Sequence, residues 1–262
     1  MKESLLYSIQ APESSRTHYI LGTMHVSSEE AYTPVSASKH YMEMCKIYIG
    51  EMDLNDPNLD NIGAYFMNPD SLDLEDLIGT KKYKKYRKVV KKSFQVELDN
   101  IAHFRPMVIA NMISESILTK EYDLALDHFL WEYAQAMGME MKGLESAQDQ
   151  FEIMQAIPMD VQLKGLKSCV KNVKSFRKKV MKTTELYAQG ELTRLYKVSK
   201  KSMGELRKLM IYDRNKKMTE RLITMLDDGA TFTAVGAAHL AGSKGMLRLL
   251  KKAGYKIRPL EL

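Results

Sequence analysis

At 262 residues, with 45% hydrophobic and 27% charged side chains, the chain can bury a sizeable core and has the composition of an ordinary globular protein. Its two cysteines, Cys45 and Cys169, make neither a disulfide framework nor a zinc-ribbon spacing, and no run approaches the ~20 apolar residues of a membrane-spanning helix. The net charge of +6 invites an anionic partner, but the excess lies on helical segments without interleaved exposed aromatics, which ranks nucleic acid last.

Residues 1–10 show no basic region followed by a long apolar run. The sequence as it stands therefore reads as cytoplasmic, and as periplasmic or extracellular if a leader has been removed. Ser4–Ile9 reads as a first strand, Pro12–Ser15 as a turn and His18–Gly22 as the returning strand of a hairpin. A helix through Val35–Met44 leads to a strand, Lys46–Glu51, that ends on glycine and a carboxylate. From Asn55 to Leu130 the pattern turns helical, with Asn58–Met67, Asp73–Ile78 and Lys81–Lys92 as candidates. In the last of these, Tyr83, Tyr86 and Val90 recur at helical spacing and predict an inward face, which leaves the lysines as the solvated face. Pro106 opens another helix, Asp127–Ala136 follows, and Met139–Glu145 reads as a strand running into a carboxylate. A second helical block spans Ser146–Asp228, with breaks at Pro158, Gly190 and Gly204. Thr231–Val235 is a strand, Gly242–Lys252 a helix and Tyr255–Leu260 a last strand.

This order predicts one α/β domain over 1–262 with a central mixed β-sheet. Its core falls in about 1–55, 139–150 and 229–262, with helical insertions over about 56–138 and 151–228. Two segments repeat one device. Leu21-Gly22-Thr23-Met24-His25 and Val235-Gly236-Ala237-Ala238-His239 each put Gly-x-x-His straight after a β-prone run. Glycine suits a backbone leaving a strand, through φ > 0 or close approach, and imidazole suits a metal ligand or general base. Gly50 with Glu51 and Gly143 with Glu145 add two carboxylates at strand ends. If these ends converge, His25, His239, Glu51 and Glu145 share a cleft of the kind that holds a divalent metal with open positions for water. Glu51 then serves as ligand or as base. Glu145 also suits the cap of a helix starting at Ser146. His18, His40, His103 and His128 stand in no comparable context and read as structural.

These marks resemble the TraB/PrgY/GumN family, which includes Tiki-type metalloproteases. They comprise the two Gly-x-x-His motifs, Glu51, Asp127, Gly143-Leu144-Glu145-Ser146 with Gln150, and Asp213-Arg214-Asn215. The ending Gly245-Met246-Leu247 to Gly254-Tyr255 is similar to the GumN branch. The resemblance covers nearly the whole chain and implies an erythromycin esterase/ChaN-like core. It also implies a site of His25, Glu51 and His239 holding a divalent metal, with manganese or cobalt favoured over zinc. Glu145, Asp127, Arg214 and Asn215 match recurrent family positions. Arg214 suits an oxyanion or carboxylate clamp, or an ion pair that braces the insertion.

The function expected is a metal-dependent hydrolase, a peptidase first, with a peptide or small-molecule substrate. The alternatives are a metal-free esterase-like hydrolase using His25 as general base, and a non-catalytic peptide or small-ligand binder of the pheromone-shutdown type. The exposed faces of helices 60–135 suit a lid or a homodimer surface.

Overall fold

A computed structural model describes residues 3–262, so the first two residues of the leader reading lie outside the described residues. The strands are β1 (Leu6–Gln10), β2 (Thr17–Thr23), β3 (Ile47–Met52), β4 (Glu140–Glu145), β5 (Thr231–Gly236) and β6 (Lys256–Pro259). They form one six-stranded sheet in the order β4-β3-β5-β2-β1-β6. β4, β3, β5 and β2 run parallel, whereas β1 and β6 join antiparallel at one edge. The expected α/β architecture with a central mixed sheet is the one observed.

Burial explains the strand sequences. β2 and β5 are buried along almost their whole length, as strands inside a parallel sheet must be, even at His18, Thr231 and Thr233. β1 is less buried, with Leu6 and Ile9 inside and Tyr7, Ser8 and Gln10 half-buried. Register aligns the strand ends. Thr23 lies opposite Gly236, Gly50 opposite both Ala234 and Gly143, and Met52 opposite Glu145. The four parallel strands therefore deliver their carboxyl ends to a common edge.

The chain forms two compact units. One comprises the chain up to Asp56, Lys120–Ser146 and Thr183–Leu262, and it contains the sheet. Its core holds Leu6, Ile20, Leu21, Ile49, Phe232 and Val235, all fully buried. The helix Leu126–Ala136 lays Trp131 edge-on against Tyr48 of β3, with ring centroids 5.8 Å apart. Tyr187, also fully buried, donates its hydroxyl to the Gly22 carbonyl at 3.0 Å and fixes the end of β2.

The other unit, Pro57–Thr119 with Ala147–Lys182, is helical and has its own core of Leu74, Tyr83, Val90, Phe94, Ile109 and Leu166. Its helix Thr80–Phe94 buries Tyr83 and Val90 and leaves every lysine exposed. Tyr83 keeps its hydroxyl satisfied by donating to Asp99 Oδ1 at 2.7 Å. The basic run is thus the solvated face of an amphipathic helix.

Two local differences from the sequence reading have clear causes. The helix expected over Gly242–Lys252 begins only at Met246. Gly242 takes φ +91°, outside the right-handed helix, and a Cβ on Gly245 would meet the carbonyls of Leu240 and Ala241. The second helical block contains a π-helical turn at Lys208–Asp213, directly before the helix Arg214–Met225. Apolar periodicity does not register a single inserted residue.

Close packing also bars a side chain at Gly143. A Cβ there would collide with Asp53 N and lie 2.6 Å from Asp53 Cα. Gly143→Ala should destabilise the protein by about 2–3 kcal/mol. A methyl on Gly165 would meet nothing within 4 Å, so Gly165→Ala should gain about 0.5–1 kcal/mol from its helical position. Urea denaturation of both variants tests this, and equal effects would refute it.

His18 gives a pH dependence. It is 1% exposed, with Nδ1 3.2 Å from Thr231 Oγ1. Burial, helped by the Arg16 charge and opposed by Asp227, pulls its pKa from 6.5 to about 4. The unfolded chain therefore binds the proton more readily, and stability present above pH 6.5 is lost as pH falls towards 4. The urea midpoint should drop over that window, and drop less in His18→Gln.

Candidate functional site

Each polar residue at the carboxyl edge is placed by the strand before it. β2 ends at Thr23, two residues before His25. β5 ends at Gly236, and the 3-10 turn Ala237–His239 supplies the second histidine. Glu51 is the penultimate residue of β3, and Glu145 is the last of β4. The glycines of these motifs supply space rather than left-handed backbone, since Gly22, Gly50, Gly143 and Gly236 all lack a positive φ. A Cβ on Gly22 would come within 3.0 Å of Ala237 Cα, so the two Gly-x-x-His segments pack directly on each other. A Cβ on Gly236 would sit 3.1 Å from Glu51 Oε2, in the space through which the Gly236 N–H donates to that oxygen at 2.7 Å.

Arg214 joins the two carboxylates. Its Nε donates to Glu145 Oε1 at 2.9 Å and its Nη2 to Glu145 Oε2 at 2.6 Å, a bidentate fork. Nη2 also reaches Glu51 Oε1 at 2.5 Å, and Nη1 reaches the Met210 carbonyl at 3.5 Å. Glu145 and Arg214 are buried, at 2% and 8% exposure. Burial alone would raise the Glu51 pKa. The charge His239 carries when protonated, the Arg214 guanidinium and the Gly236 N–H overcome it and hold the carboxyl down at about 2.

His239 is buried beside them, its Nε2 3.7 Å from Glu51 Oε1. Burial pulls its pKa to about 4, with Glu51 opposing and Arg214 assisting, so the ring is neutral at neutral pH. Arg214 and the Gly236 amide are then what hold Glu51 ionised. The tautomer follows from Asn215. Its Nδ2 donates to the carbonyls of His239 (3.1 Å) and Lys244 (2.8 Å), so Oδ1 is the acceptor that faces His239 Nδ1 at 2.6 Å. The proton sits on Nδ1, and Nε2 offers a lone pair towards the Glu51 carboxylate.

His25 shows the same arrangement with a different partner. Its Nδ1 lies 2.9 and 2.8 Å from the two Asp127 oxygens, and a carboxylate only accepts, so Nδ1 carries the proton here too. His128 adds a ring at 5.6 Å, edge-on to His25. Among the described residues, His25, Asp127 and His128 form the one group of three whose ligand atoms lie within 4.8 Å of one another.

The structure thus brings Glu51, Glu145, Arg214 and His239 into one bonded set. It puts His25 in a second set, with Asp127 and His128. Asn215 was legible only as a recurrent position of the resembled family, and its amide role had no sequence signal. His128, read as structural, stands beside Asp127 in the first turn of the helix Leu126–Ala136. The adjacent Asp-His pair was its one visible mark.

The sequence model of the TraB/PrgY/gumN family matches residues 5–259. Metalloprotease TIKI2 of Danio rerio is 21% identical over 321 aligned residues, covering 97% of this chain and 60% of that protein. The chain therefore spans about three fifths of the length of this relative. No solved structure matches the chain.

Arg214→Met would leave Glu51 and Glu145 without the guanidinium they share. A loss of about 3–5 kcal/mol in urea denaturation is expected, partly recovered when Glu145→Gln is added. A loss below about 1 kcal/mol would show that the fork contributes little to the fold.

Proposed function

The chain belongs to the TraB/PrgY/gumN family, and from that premise we propose that it is a metal-dependent hydrolase that cleaves peptide bonds. The observation that carries the reading is shared by both Gly-x-x-His motifs. Each histidine has Nδ1 tethered by a side-chain oxygen, Asp127 for His25 and Asn215 for His239, which puts the lone pair on Nε2. Such outer tethers fix tautomer and ring orientation in metal-ligating histidines.

His25, His239 and Glu51 would hold the ion. The donors are nitrogen and oxygen, and no thiolate is at hand. Burial raises the Cys45 and Cys169 thiols to about 12 and about 11, which keeps both protonated. A mixed imidazole–carboxylate set suits manganese, cobalt or zinc, and the preference for manganese or cobalt rests on the family resemblance. When bound, the ion supplies the Lewis acidity that activates water and polarises a carbonyl.

The protein's own residues have separable roles. Glu51, held near pKa 2, is a poor proton acceptor at neutral pH and suits the ligand role rather than the base role. Arg214 directs both Nη2 donors and its Nε donor to Glu51 and Glu145, so its main role is to position carboxylates rather than to clamp a substrate oxyanion. Glu145 acts through Arg214. The peptide class is supported by the distant likeness to a metalloprotease.

A second reading places the ion on His25, Asp127 and His128, and it is favoured by their mutual distances within 4.8 Å. Metal content after refilling with Mn²⁺ or Co²⁺ separates the two. On the first reading wild type holds stoichiometric metal, His239→Ala loses it and His128→Ala keeps it. The second reading predicts the reverse for the two variants. Peptide turnover should fall at least about 100-fold in whichever variant loses the ion. Wild type that takes up neither metal would overturn both readings.

A further inference from the structure

The sheet-bearing unit has a second feature at this end. A cavity of about 660 Å³ is lined by Arg207, Lys208, Tyr212, Lys216, Lys244 and Leu249, with Gly204, Glu205 and Asp213 completing it. That volume falls in the range of small-ligand sites. Its floor is amphipathic, since Arg207, Tyr212 and Leu249 are half-buried, while the lysines stand exposed around it.

The charges are unevenly matched. Four cations face two carboxylates. Lys208 Nζ pairs with Asp213 Oδ2 at 2.8 Å, and Lys216 lies 4.0 Å from Glu220, outside the cavity. Arg207 stacks over the Tyr212 ring at 6.0 Å, and among the described residues neither Arg207 nor Lys244 has an ion-pair partner. A half-buried guanidinium on an aromatic face, with an ammonium nearby, is a recognition pair for a carboxylate attached to an apolar or extended group.

The backbone ties this cavity to the candidate site. The π-turn Lys208–Asp213 puts Tyr212 and Asp213 on the cavity wall and leads straight into Arg214 and Asn215. π-turns of this kind recur at functional sites. Lys244 contributes the other wall, and its carbonyl accepts from the same Asn215 amide that orients His239. Ligand cavity and candidate catalytic histidine thus share one hydrogen-bonded side chain.

We infer that this cavity binds a carboxylate of an acidic peptide, which makes it a specificity site for the hydrolase proposed above. Its part in substrate selection rests on that reading, but the binding itself does not depend on turnover. A carboxylate reaches Arg207 and Lys244 either as a Glu or Asp side chain or as a free C-terminus.

The experiment is fluorescence anisotropy on the full chain at fixed salt. The probe is a fluorescein-labelled peptide with a central Glu-Glu pair, compared with its Gln-Gln counterpart, each made as free acid and as C-terminal amide. Wild type should prefer one carboxylate-bearing form over its neutral counterpart by about tenfold, the effect of two partly exposed charge pairs. Preference within the Glu/Gln comparison identifies a side-chain carboxylate, and preference within the acid/amide comparison identifies the terminus. Arg207→Ala/Lys244→Ala should abolish the preference. Lys84→Ala/Lys85→Ala, on the solvated helix, should leave it intact and so controls for net charge. Metal-loaded wild type that binds the acidic probe with this preference but does not cleave it would sink the hydrolase reading and spare this one. No preference in wild type, or equal loss in the Lys84/Lys85 control, would overturn the inference.

Discussion

The arrangement at the sheet edge depends on one buried guanidinium. Glu51 and Glu145 stand at the ends of adjacent parallel strands, where two carboxylates would repel. Arg214 removes the conflict by forking onto Glu145 and bridging to Glu51. Without it, both acids would lose their shared counter-charge in a place where water is scarce. The neighbouring residue uses the same helical turn differently. Asn215 takes the proton-bearing side of His239 and two backbone carbonyls, so consecutive residues organise the carboxylates and the imidazole. The π-turn before them brings both to the sheet edge at once.

The repeated Gly-x-x-His device has one geometry and two environments. In both copies the glycine stands close to other atoms: Gly22 against Ala237, Gly236 against Glu51. In both, Nδ1 carries the proton. Yet His239 is buried against a neutral amide, whereas the His25 side chain is 59% exposed against a carboxylate. An anionic partner makes an imidazole more basic and a stronger ligand, and a neutral partner mainly fixes its direction. Two copies of one motif thus stand in two settings, one exposed beside a carboxylate and one buried beside an amide.

The helical unit follows a simpler logic. It closes its own core around Tyr83, Val90 and Leu166 and sends its charge to the surface. Its lysines lie on the solvated side of an amphipathic helix, as the spacing of Tyr83, Tyr86 and Val90 requires. The cationic cavity at 204–249 has different chemistry, because its Arg207 is half-buried on an aromatic ring rather than extended into water. Net charge alone does not separate these cases, and burial does.

Local pattern alone determined where the strands end, and therefore that His25, Glu51, Glu145 and His239 each follow or close a β-run. It also determined the inward face of the basic helix. Those features repeat over two to four residues, and periodicity and turn chemistry are written at that scale. The partners were decided only by tertiary structure. Arg214 meets Glu51 across 163 residues, and Asp127 meets His25 across 102. Asn215 settles the His239 tautomer, and an added residue in a π-turn directs one helix face. None of these leaves a local signature, because each depends on how packed elements align their side chains at contact distance. The motif glycines make the same point. Sequence permits either left-handed backbone or close approach at such positions, and only the packed sheet shows that space is what they provide.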